Sequence, residues 1–308
     1  MRVETALIIA EKILFVGLLM TVGFLCGKLG LIDRELNRKA SELLLLVVSP
    51  CLIFSSYQVE YDAALLGNLL LAFGLSVGSF AVQLLCAHLL LPRRRPDAAV
   101  EQLSVVYPNC MFLGIPLIEA LYGAEGVLYL TAYITCFNVL IWTHGVIVMD
   151  GKCDGRQLLK KLCSPALIAI AAGLVLFLLR VRLPGWLLEP VRSISGMNTP
   201  LAMLIAGATI SQTPLRSCVR ERRLYRVLAI RMLLVPALLL PAFALLPVPA
   251  MPRMAVFLAA ACPTASYCTM FALRYGHDSG YAARIFALTT LSAAVCLPLM
   301  ALAAGLLF

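Results

Sequence analysis

The stretch Tyr107-Pro108-Asn109-Cys110-Met111-Phe112-Leu113-Gly114-Ile115-Pro116 gathers groups able to do chemistry inside an otherwise apolar run. Each proline removes a backbone donor and clashes with the preceding turn, so the pair must leave carbonyls and N–H groups of one helix unpaired. Hydrocarbon tolerates such groups only where they are buried in protein or line a cavity that binds something polar. Asn109 sits in this gap, and its amide offers donors and an acceptor that suit a carboxylate or an unwound backbone. A second stretch of the same kind, Ala261-Cys262-Pro263-Thr264-Ala265-Ser266, lies in a later apolar run. Where two such breaks cross, each begins a half-helix with free N–H groups, and the two positive ends can face one anion. The plainer use of these residues is a kink, with hydroxyls bonded back to their own helix.

The elements that must hold these stretches are membrane spans. The 308 residues are 62% hydrophobic and 13% charged, with a mean hydropathy of +0.95, far above a soluble domain. Windows of about 20 apolar residues give ten expected helices, covering 6–29, 40–56, 63–91, 99–121, 126–149, 164–183, 187–211, 224–246, 254–275 and 282–306. The first is expected to be retained, because Glu4, Glu11 and Lys12 interrupt it and no small-residue cleavage site follows. Lys and Arg gather in the loops after the odd-numbered windows, which places those loops in the cytoplasm and both termini outside. The formal charge of +9 is therefore a topology signal, and no nucleic-acid partner is expected. The eleven cysteines mostly lie inside apolar runs without metal-type spacing and read as small apolar fillers.

The chain also repeats itself. Ser49-Pro50 returns as Thr199-Pro200, and Leu121-Tyr122-Gly123 as Arg274-Tyr275-Gly276, each roughly 150 positions later. A unit of five spans is odd, so its second copy enters the membrane upside down, as in many secondary transporters. The expected fold is an all-α polytopic membrane protein of two inverted five-helix repeats, residues 1–149 and 163–308, joined by a cytoplasmic loop at 150–162. The fourth and ninth helices are broken and crossed.

Other polar residues inside the windows have two readings each. Thr135 and Asn138 share a helix face and either line the same cavity or bond between helices. Thr264 and Ser266 carry the same ambiguity at the second break. Glu119 and His144 are candidates for a coupling proton, against snorkelling for Glu119 and an interhelical bond for His144. Arg231 either offsets substrate charge or, near the basic run 220–226, anchors topology; the anchor is the favoured reading. An enzyme is not expected: there is no His-Glu-x-x-His, no Gly-x-Ser-x-Gly and no phosphate-binding glycine loop, and histidine occurs only at 88, 144 and 277. No cofactor or metal is implied. A channel and a non-transporting receptor remain the rival classes.

Pro108-Asn109, Gly114-Ile115-Pro116-Leu117 and Leu121-Tyr122-Gly123 together resemble the fourth-helix crossover of the auxin efflux carrier family, which includes the plant PIN carriers and many bacterial carriers. The run from Leu36-Asn37-Arg38 to Ser49-Pro50-Cys51-Leu52-Ile53-Phe54-Ser55-Ser56 is similar to that family's second helix. Asn138 to Trp142 resembles its fifth, and Thr289-Thr290-Leu291 to Leu297-Pro298 its last. The resemblance implies a scaffold part and a crossover part that move against each other, a homodimer through the scaffold, and transport of organic anions across a bacterial inner membrane. It places substrate on Asn109, on Ser55 or Ser56 and on Asn138; Gly114 and Pro116 at the first break and Pro263, Thr264 and Ser266 at the second complete the expected substrate site. Asn138 stands where the plant carriers have glutamine, and their long cytosolic loop is missing. Auxin itself is thus not implied, and small dicarboxylates such as malate or malonate are the closer expectation.

Overall fold

The computed structural model describes residues 2–92, 97–151, 164–212 and 221–308. Arg93, Arg94 and Arg95, most of the expected connecting loop, Arg216, Arg220 and the side chains of Arg2 and Lys12 lie outside the described residues.

Apart from one isolated β-bridge, the ordered elements among the described residues are helical. In chain order they are α1 (Arg2–Lys28), α2 (Arg34–Leu43), α3 (Ser49–Ser56), α4 (Ala63–Leu90), α5 (Ala98–Val106), α6 (Ile115–Leu140), α7 (Val146–Asp150) and α8 (Pro165–Leu178). There follow α9 (Gly185–Ser195), α10 (Asn198–Ser211), α11 (Arg222–Ala229), α12 (Val235–Ala244), α13 (Ala250–Ala261), α14 (Tyr267–Arg274) and α15 (Ser279–Leu307). Short carboxylates and a hydroxyl start several of them by accepting an otherwise orphaned N–H. Asp33 Oδ1 takes Leu36 N–H at 2.7 Å, Asp62 Oδ1 takes Ala64 N–H at 2.9 Å, and Asp278 Oδ1 takes Tyr281 N–H at 2.8 Å.

Single wide turns join α2 to α3, lead into α6 and join α11 to α12, at Leu44–Val48, Cys110–Gly114 and Ile230–Leu234. Each ends two residues before a proline: Pro50, Pro116 and Pro236. The N–H of Ser49, Ile115 and Val235 reaches back five residues, to the carbonyls of Leu44, Cys110 and Ile230. A proline offers no N–H to the carbonyl four residues earlier and its ring crowds it, and widening one turn relieves both problems. These prolines therefore bend continuous spans without ending them.

Among the described residues, five helical stretches are long and apolar enough to cross a bilayer by length and composition: Arg34–Ser56, Ala63–Leu90, Cys110–Asp150, Arg222–Ala244 and Ser279–Leu307. Leu14–Lys28, Pro165–Leu178 and Ala250–Ala261 are shorter apolar helices. Leu18, Leu70, Leu89, Ile168, Leu273 and Val295 all turn outward, an apolar surface suited to lipid and unsuited to water. Within the 41-residue stretch, Gly123 takes φ +61° and turns the chain, and Gly276, its counterpart in the second repeated motif, takes φ +74°. Both are conformations that a residue with a Cβ rarely adopts.

Glycines also set the closest helix pair. A Cβ at Gly23 would strike the backbone of Leu204, and one at Gly207 would strike Met20 and Phe24, so α1 and α10 meet backbone to backbone. A small cluster including Val16, Leu44, Val48, Phe112, Leu113, Met203 and Cys262 joins this pair to the broken helices. Most of the remaining helices share the main core, whereas α2 and α9 pack Ala40 and Ile194 against the small cluster.

Candidate functional site

The two breaks meet. Pro108 and Thr264 form an antiparallel bridge, in which Asn109 N–H donates to Pro263 O at 2.6 Å and Ala265 N–H donates to Tyr107 O at 2.9 Å. Two short extended segments thus satisfy part of each other's broken backbone in the protein interior, where no other partner is at hand. Gly114 lies close to the opposite break: a Cβ there would come within 3.5 Å of Cys262 Sγ.

Beyond each break a half-helix begins, with Asn109 and Ser266 at the capping positions. Neither side chain makes a capping hydrogen bond. Both line the same cavity, of about 520 Å³, along with Trp142, Tyr267, Phe112, Met270 and Thr290. Its rim carries Arg38 and Glu42, which pair across one helical turn at 2.6 Å and are more than half exposed. Asn109 is 6% exposed, so its amide reaches a sheltered space from within the protein.

The other ends of the breaks are held by Arg231. This residue is fully buried, contrary to the expected topology anchor, and its guanidinium crosses behind the bridge. Nε donates to Cys262 O at 3.0 Å, Nη1 to Val105 O at 2.9 Å and Nη2 to Cys262 O at 2.7 Å, with further bonds to Ala260 O and Gln83 Oε1. Those carbonyls close α5 and α13, where the helix dipoles concentrate negative charge. One cation therefore serves both C-terminal ends, while both N-terminal ends look toward the cavity. Its proximity in sequence to a basic run hid this role, and a charge well inside an apolar window was the available signal.

The other expected site residues are placed differently. Ser55 and Ser56 donate back to Leu52 O and Ile53 O at 3.0 and 2.7 Å. Thr135 and Asn138 donate to Thr131 O and Ile134 O at 2.8 and 2.9 Å. Thr264 Oγ1 donates to Ser104 O at 2.9 Å, across the bridge and away from the cavity. Pro263 contributes the carbonyl that Asn109 uses, and Pro116 follows the wide turn that carries Phe112 and Leu113 to the cavity wall. Glu119 Oε2 accepts from Thr199 Oγ1 at 2.6 Å, between α6 and α10. Tyr107 Oη donates to Leu140 O at 2.8 Å and lies 3.0 Å from His144 Nδ1, and His144 faces a separate cavity of about 290 Å³.

The profile of the Membrane transport protein family matches residues 8–158 and 152–301. An uncharacterized transporter of Methanothermobacter thermautotrophicus is 24% identical over 301 residues, covering 94% of this chain and 96% of the relative.

Proposed function

Because the chain belongs to the membrane transport protein family, that of the auxin efflux carriers, we propose that it is a secondary carrier of small organic anions working by alternating access. It is an integral membrane protein, as its family and its apolar helices require. The observation that carries the substrate class is the pairing of Asn109 with Ser266. They cap half-helices from two different breaks, leave their side chains uncommitted and line one cavity. An amide, a hydroxyl and two positive helix ends make a neutral site with a positive potential, which favours a carboxylate over a cation.

In this reading the ten windows form two inverted repeats, residues 1–149 and 163–308, with matching motifs at Gly123 and Gly276 in support. The carrier sits in a bacterial inner membrane with both termini outside, and a homodimer forms through the scaffold. The cavity rim at Arg38 and Glu42 then belongs to the cytoplasmic side, so the described state is open inward. The remaining expected contacts, Ser55, Ser56 and Asn138, bond back to carbonyls of their own helices and lie outside the lining of this cavity. Glu119 and His144 stay as the candidates for a coupled proton.

The test is a thermal-shift screen of purified protein with malate, malonate, succinate and indole-3-acetate, repeated on Asn109→Ala, since a ligand of the folded state alone raises its stability by mass action. Stabilisation by one acid, absent in the variant, supports the reading. No shift with any acid, or an equal shift in the variant, overturns it. Counterflow in proteoliposomes then separates a carrier from an anion channel or a receptor, because only a carrier is accelerated by substrate on the opposite side.

A further inference from the structure

Arg231 is a fully buried cation whose hydrogen bonds all end on neutral oxygens, those of Val105, Ala260 and Cys262 and Gln83 Oε1. Among the described residues no Asp or Glu lies within ion-pair distance of it. Tyr133, Cys110, Cys262 and Cys268 also face it, and phenols and thiols are uncharged at neutral pH. Arginine stays protonated, so a full positive charge sits one residue behind the bridge. The carbonyl it grips is that of Cys262, and the carbonyl of the next residue, Pro263, receives Asn109 N–H. Each helix end carries roughly half an elementary charge, so the two C-terminal and two N-terminal ends at the crossing cancel. What remains is the charge of Arg231. At the cavity rim Arg38 and Glu42 pair and cancel as well.

We propose that Arg231 sets the charge selectivity of the site, and that the counter-ion of its guanidinium is the carboxylate bound between Asn109 and Ser266. This rests on the organic-anion reading above and deepens it, because it moves the source of selectivity from the helix ends to one side chain. Arg231 does not line the cavity, so it acts across the bridge through its field and is a positioning residue. Within about 10 Å of protein interior, one unit charge changes the binding of another about tenfold. An unanswered charge buried at membrane depth is costly, and a bound anion offsets that cost each time the site is filled.

Gln83, on α4, allows the charge to be cancelled without being removed. Its Oε1 accepts from Arg231 Nη1, and its Nε2 donates to Ser79 O and Tyr133 Oη, both at 3.1 Å. Gln83→Glu keeps the shape of the side chain and gives Arg231 a permanent counter-ion, which the guanidinium holds ionised. Affinities for malate, malonate, succinate and indole-3-acetate are read at neutral pH from the concentration dependence of the thermal shift. Gln83→Glu should weaken every acid that binds the wild type about tenfold, without lowering the melting temperature of the free protein. Gln83→Met removes the same acceptor and adds no charge, so it should melt earlier and bind within about threefold of wild type. Arg231 with a structural role alone would give the opposite pattern. Wild-type affinity in Gln83→Glu, or an equal loss in Gln83→Met, overturns the inference and leaves the anion-carrier reading standing. Should Gln83→Glu fail to fold, Arg231→Lys decides, since it keeps the charge on fewer bonds. It should melt early and still bind, and a folded lysine variant that binds none of the acids overturns the inference. If no acid binds even the wild type, the organic-anion reading falls and this inference with it.

Discussion

The backbone N–H of Asn109 donates to the carbonyl of Pro263 at 2.6 Å, so two broken helices far apart in sequence are fastened to each other through the residues that break them. The bond uses the main chain of Asn109 and leaves its side chain free of the fold. Structure and ligand contact are thus separable at this one position, and mutation can test them apart.

Replacing Asn109 by alanine should leave insertion and melting temperature near wild type and weaken acid binding at least about tenfold, the value of one hydrogen bond to a charged group. Asn109→Asp should weaken it further, since a carboxylate would face the substrate's own charge. Binding and melting temperature are read on the same purified samples. A variant that melts early but binds normally would put Asn109 among the structural residues.

Ser266 and Thr264 lie two residues apart and should behave oppositely. Ser266→Ala removes a hydroxyl that makes no capping bond, so affinity should fall severalfold with stability unchanged. Thr264→Val removes a donor to Ser104 O and should lower stability by about 1 kcal/mol with affinity unchanged. Exchange of the two outcomes would mean that the second break presents its other face to the ligand.

Arg231→Met should destabilise by about 3–5 kcal/mol, as removal of one member of a buried charged network does. The carbonyls of Val105, Ala260 and Cys262 would be left without this donor. Arg231→Lys keeps the charge but cannot span three carbonyls in one plane, so intermediate stability is expected. Scanning fluorimetry in detergent measures both, and wild-type stability in the methionine variant would show that the crossing holds without the guanidinium.

Gly207→Val and Gly17→Val change the same residue type on the facing helices α10 and α1. At Gly207 the new Cβ meets the backbone of Met20 and Phe24, neither of which can rotate away, so a loss of folded monodisperse protein is expected. At Gly17 it meets nothing within 4 Å, and size-exclusion profiles should match wild type. Equal behaviour of the two would mean that α1 and α10 do not keep this separation in the folded protein.

The amino-acid sequence by itself determined the solvent and the places of rupture. Long apolar runs with most of the charge in the connections require a bilayer, because no local rearrangement can hide that much hydrocarbon from water. Pro108, Pro116 and Pro263 interrupt hydrogen bonding wherever they stand, since a missing donor is a covalent fact. The paired motifs ending at Gly123 and Gly276 were legible for the same reason, as their turns depend on the absence of a Cβ.

Which polar groups face the cavity was decided by tertiary structure alone. Ser55, Ser56, Asn138 and Thr264 look no different in sequence from Asn109 and Ser266. In the fold the first four bond to backbone carbonyls, and the last two are turned by the bridge into a shared space. A hydroxyl or amide in a helix takes the nearest acceptor unless a neighbouring helix offers it something else, and that choice depends on packing between segments more than a hundred residues apart. Arg231 shows the same dependence. Its local context is a basic run beside a membrane boundary, and only the convergence of α5 and α13 behind the crossing gives its charge the carbonyls that hold it in the interior.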